Sequence, residues 1–88
     1  MNELVRMSGR LIVRGIYRRE ASGKYDASLV ISVVPLNNAP PFDIICPATV
    51  KAPDNVGVYK CSIAVLRFGE RNGRLYLIAS DLVFEPAS

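Results

Sequence analysis

Apolar and polar residues alternate along most of this chain with a period of two, the spacing of an extended strand. Nowhere do they recur at the three-and-four spacing of a helix. The segments "RLIVRGIY", "SLVISVV", "FDIICP", "VYKCSIAVLRF" and "RLYLIASDLVF" are rich in β-branched or aromatic residues, and turn formers bound each of them. Five strands are predicted: about Leu4 to Arg19, Tyr25 to Leu36, Phe42 to Val50, Val58 to Phe68 and Arg74 to Phe84. Gly9 and Gly15 interrupt the first, where a strand can bend or bulge.

The punctuation is equally informative. "EASGK" turns the chain between the first two strands, and "NNAPP" is a loop because consecutive prolines cannot donate to a ladder. "KAPDNVG" is a second loop, "GERNG" closes a hairpin on Asn72-Gly73, and "EPAS" frays. Five strands without a helix, the first long and broken by glycine, imply an all-β fold. We expect a five-stranded antiparallel OB-type barrel with protruding hairpins, an SH3-like barrel being the structural competitor.

At 88 residues the chain is one domain, residues 1–88, with no repeat and no low-complexity segment. A chain this short buries little more than ~60% of its unfolded surface. Half of its residues are nevertheless apolar, so the excess is expected in a subunit interface as well as the core. The longest apolar run, "LVISVVPL", is far below the ~18 residues of a membrane helix. No export leader precedes the first strand, so a cytoplasmic location, in a bacterial host cell, is expected.

Two cysteines, Cys46 and Cys61, sit in apolar strand segments and read as buried free thiols. Without histidine they cannot complete a tetrahedral metal site, and the commonest general base is missing too. Carboxylates are scattered, and neither a phosphate-binding loop nor a dinucleotide fingerprint is present. No catalytic residue, metal, cofactor or small-molecule substrate is expected.

Charge changes the picture. The net charge is +3, and six of the eleven Lys and Arg fall between Arg6 and Lys24, opposed only by Glu20. On an unbroken strand Arg6, Arg10, Arg14 and Arg18 share one face, while Leu11, Val13 and Tyr17 point into the core. The solvated face of an edge strand accounts for such arginines equally well. The turn that follows adds Arg19, Ser22-Gly23 and Lys24, with Tyr17 and Tyr25 at its base. Cations beside aromatics are what single-stranded nucleic acid requires: phosphates neutralised, bases stacked. Arg71, Arg74 and Tyr76, around the second hairpin, either extend that path or merely solubilise the turn.

The segment "PFDIICPATVKAPDNVGVYKCSIAVLRFGERNGRLYLIASDLVFEPAS" resembles the single-stranded DNA-binding (helix-destabilising) proteins of filamentous phages. The shared features are Phe42 leading the third strand, Gly57-Val58-Tyr59 opening the fourth, the hairpin Gly69 to Gly73 and the closing Pro86-Ala87. "SGKYD" resembles that family's DNA-binding wing, and the match assigns phosphate to Lys24 and base stacking to Tyr25. Asn72 stands where relatives carry a stacking aromatic, and Asp81 and Val83 where they carry basic residues. "ELVRMSGRLIVR" and "RNGRLYLIASDLVF" also resemble small bacterial single-strand-binding and primosomal OB proteins.

The resemblance implies a two-fold dimer built on the C-terminal hairpin that coats single-stranded DNA cooperatively during phage or plasmid replication. Candidate binding residues are Arg10, Arg14, Arg18, Arg19, Lys24, Tyr25, Arg71, Arg74 and Tyr76. RNA in place of DNA is an open alternative. A reading from another class is a small β-barrel protein-interaction module whose apolar hairpin docks on a larger complex.

Overall fold

The computed structural model describes residues 4–37 and 39–86. Glu3 of the N-terminal segment, Asn38 of the proline-rich loop, and Ala87 and Ser88 at the end lie outside the described residues. Five strands are present, β1 (Val5–Arg19), β2 (Ser28–Pro35), β3 (Phe42–Pro47), β4 (Gly57–Arg71) and β5 (Arg74–Pro86). They close into a barrel in the order β1-β2-β3-β5-β4, the five-stranded arrangement of an OB-type barrel.

The expected all-antiparallel pairing needs one correction, since β3 and β5 run parallel. The loop after β3 carries the chain across the barrel so that β4 lies antiparallel to β1. The β4–β5 hairpin then returns β5 between β4 and β3, in the direction of β3.

Both hairpin turns follow from their residues. Ser22 and Tyr25 pair across Gly23-Lys24 through two backbone bonds of 3.0 and 2.9 Å, with Gly23 at φ 57°. Glycine at the first central position with positive φ is the type II′ requirement. At the other hairpin Asn72 (φ 54°) and Gly73 (φ 77°) both adopt positive φ, the type I′ geometry that Asn-Gly favours.

The inward rows form one apolar core: Val13 on β1, Ile31 and Val33 on β2, Ile44 on β3, Ile63 and Val65 on β4, Leu77 on β5. Cys46 and Cys61 are free and buried among them. Two irregularities change which side chains face out. On β1 the register runs Val13↔Val33 and then Gly15↔Ser32, leaving Arg14 as an inserted residue. Between β4 and β5 the pairs Ala64↔Asp81, Val65↔Ala79 and Arg67↔Ile78 leave Ser80 and Leu66 inserted. A bulge shifts the strand alternation by one beyond it.

Candidate nucleic-acid interface

The Arg14 bulge overturns the expectation that Tyr17 points into the core. Beyond it, Ile16 pairs with buried Ile31, and Tyr17 pairs with Val30 on the outer surface, where it is 60% exposed. The same shift removes Arg18 from the outer row of Arg6 and Arg10: it pairs with Leu29, on the inward parity, at the barrel's end. Arg18 is exposed there, and its Nε donates to Glu20 Oε1 at 3.1 Å. Arg19 returns to the outer parity beside Tyr17.

Two outer rows define a continuous face across all five strands. One reads Tyr17, Val30, Ile45, Ile78, Arg67, each paired with the next. The three aliphatic members are half-buried and make an apolar floor between a tyrosine and an arginine. The second row reads Gly15, Ser32, Asp43, Tyr76, Gly69. The Tyr17 ring folds back over Gly15, its hydroxyl 3.5 Å from where a β-carbon would sit. The Tyr76 ring covers Gly69, its partner on β4, so closely that a β-carbon there would collide with it.

Arg74 reaches across this face and grips Asp43. Its Nε donates to Oδ2 at 3.1 Å and its Nη2 to Oδ1 at 3.0 Å, while Nη2 also donates to Ser32 Oγ at 3.0 Å. With Arg14, Gly15 and Tyr17 these three side chains line an open notch of about 340 Å³. The Arg14 guanidinium has no hydrogen bond or ion pair among the described residues, so the notch carries a cation free to meet an anion.

The sequence-predicted residues therefore fall into three groups. Arg14, Arg74 and Tyr76 lie on the face just described, with Arg71 opposite Arg74 across the β4–β5 turn. Arg18, Arg19, Lys24 and Tyr25 belong to the β1–β2 hairpin. At its tip Tyr25 is 72% exposed and Lys24 Nζ stands 5.9 Å from its ring centre, within cation–π reach. Arg10 pairs with Lys60 on the part of β1 that meets β4, so it stands apart from both groups.

Tyr17, which the sequence offers as an aromatic at the base of the turn but assigns to the core, and Arg67, which it does not single out, complete the face. Both sit just past a bulge, so strict alternation sends them inward. A signal was present: "LVISVV" and "FDIIC" place apolar residues on both parities, which an ordinary water-facing strand does not need. A tyrosine platform, an apolar floor and the Arg14 guanidinium can together hold a planar ring and a phosphate. No protein-family model, curated protein or solved structure matches this chain.

Proposed function

We propose that this protein coats single-stranded nucleic acid, DNA in the first instance, with little preference for sequence. The observation that carries the proposal is Tyr17, largely exposed beside unpaired Arg14 on an apolar outer face that leads from the β1–β2 hairpin to the β4–β5 hairpin. OB-type barrels bind oligonucleotides on the face of their second and third strands and with the loops joining strands 1–2 and 4–5. Here the β1–β2 loop carries Lys24 and Tyr25, with Tyr17 and Arg19 on the end of β1 that leads into it, and Arg71 ends β4 at the other hairpin. Phosphate neutralisation supplies a salt-dependent affinity, and stacking on the tyrosines, worth about 1–3 kcal/mol per base, favours unpaired strands. Melting of duplex is then passive, by mass action on the single strand.

The partner we propose for the protein itself is a second copy, joined through the β4–β5 hairpin. Phe68 and Leu75 share the inward parity at the point where that hairpin leaves the barrel, and they are 45% and 44% exposed. Exposed apolar side chains there fit an interface better than a solvated turn.

The deciding experiment is a fluorescence-anisotropy titration of an unstructured, mixed-sequence single strand at several salt concentrations, with duplex DNA as competitor. Binding should weaken linearly on a log–log salt plot, by about 0.7 per phosphate contact, and duplex should compete poorly. Flat anisotropy at low salt overturns the reading and favours the protein-interaction module, with the apolar hairpin as its docking surface.

A further inference from the structure

A carboxylate is out of place on a surface that tracks phosphates, and Asp43 stands at the centre of this one, paired with Tyr76 in the outer row. As an exposed ion pair with Arg74 it adds little to stability. What the pair does achieve is orientation. The guanidinium fork engages one side of each carboxylate oxygen and also holds Ser32 Oγ, so three polar groups are locked into a single arrangement. A carboxylate has about four acceptor positions, so Asp43 keeps free ones after accepting twice from Arg74.

The notch beside this group is floored by Gly15 and walled by the folded-back ring of Tyr17. The notch of about 340 Å³ is large enough to admit one flat ring beside the tyrosine, with Arg14 at the rim for its phosphate.

We propose that this notch is a base-reading pocket: it takes one unpaired base against Tyr17 and selects for an exocyclic amine, which donates to Asp43. The inference rests on the single-strand reading above and deepens it. Adenine, cytosine and guanine each carry such an amine. Thymine and uracil present carbonyl oxygens on either side of their one ring N–H, and those oxygens meet the fixed negative charge unfavourably. Discrimination therefore comes from the repelled base as much as from the accepted one. Arg74 is a positioning residue in this scheme, since it holds the acceptor without needing to touch the base.

The test uses pairs of single strands that differ at a single guest position in one host sequence: deoxyadenosine against deoxypurine, which removes the amine, and deoxycytidine against deoxyuridine, which exchanges it for a carbonyl oxygen. The wild-type protein should bind the amine-bearing member about 10-fold more tightly or better, the lower end of what a hydrogen bond to a charged acceptor implies. Asp43→Ala, which removes the acceptor, should bring that ratio towards one while still binding the host strand, its fold checked by thermal melting. Equal affinity within each pair for the wild type overturns the proposal, as does a ratio that survives in Asp43→Ala. If that variant does not fold, the wild-type pairs alone decide. Failure to bind any strand overturns the single-strand reading and this inference with it, an outcome distinct from binding without discrimination.

Discussion

The ring of Tyr76 covers Gly69, its directly opposite partner on the neighbouring strand, and occupies the space a β-carbon at residue 69 would need. The glycine is therefore required by close approach, its φ not being in the left-handed region. An aromatic ring lying over a cross-strand glycine restores the contact that a missing side chain forfeits. Gly69→Ala should force the ring aside and cost about 1–3 kcal/mol, the usual range for overpacking. Urea unfolding measures it, and the second arm is the same substitution in a Tyr76→Leu background. There the cost should shrink, since the more flexible side chain can yield. An equal cost in both backgrounds would place its origin elsewhere in the hairpin.

Because Tyr76 is committed to Gly69, the stacking burden in the proposed complex falls on Tyr17 and Tyr25. Tyr17→Ala and Tyr25→Ala should each weaken binding to single strands by about 1–3 kcal/mol, and replacement by Phe should restore most of it. Affinity measured at one fixed salt concentration checks this. A loss that Phe does not restore would mean that the hydroxyl, not the ring face, makes the contact.

Strand order in sequence, both hairpin turns and the core of branched residues were legible because each depends on local chemistry: Asn72-Gly73 dictates its own turn, and Ile31, Val33 and Ile44 mark their own parity. Three things were not. The parallel β3–β5 pairing is a property of closure, decided by where the loop after β3 sends β4. The outward turn of Tyr17 depends on Arg14 occupying a bulge, and that of Arg67 on Leu66 doing the same. A bulge leaves no mark in hydrophobic alternation beyond a phase shift, and in β1 that shift is hidden because Gly15, next to it, has no side chain to read. The cluster of Ser32, Asp43 and Arg74 joins three strands and has no spacing in the sequence at all.

The placement of the arginines separates two kinds of cation on one strand. Arg14 lines the notch unpaired, whereas Arg10 stands opposite Lys60 on the part of β1 that meets β4. Arg14→Gln and Lys24→Gln should each reduce the slope of log affinity against log salt by about 0.7, the value for one phosphate contact on a single strand. Arg10→Gln should leave the slope unchanged. A reduced slope for Arg10→Gln would show that the strand wraps past the β1–β2 hairpin onto the far side of the barrel.

The two thiols give the fold a dependence on alkaline pH. Burial pushes both Cys46 and Cys61 from 9.0 up to about 11, and the negative charge of Asp81 adds a smaller push at Cys46. Between those values the folded state holds thiol protons that the unfolded state has released, so stability must fall as pH rises through that window. Below pH 9 both states are protonated and the contribution is complete; above about 11 it is gone. The loss is on the order of 2–3 kcal/mol for each thiol, a sizeable share of the ~5–15 kcal/mol that holds a small domain together. Urea midpoints from pH 7.5 to pH 10.5 should therefore fall for the wild type, while thiol-specific labelling of the folded protein stays slow at neutral pH. The variant Cys46→Ala/Cys61→Ala starts lower, because shrinking two buried side chains leaves cavities, but its midpoint should fall less steeply over the same range. Everything else in the two proteins is the same, so parallel pH profiles would remove the thiols as the cause.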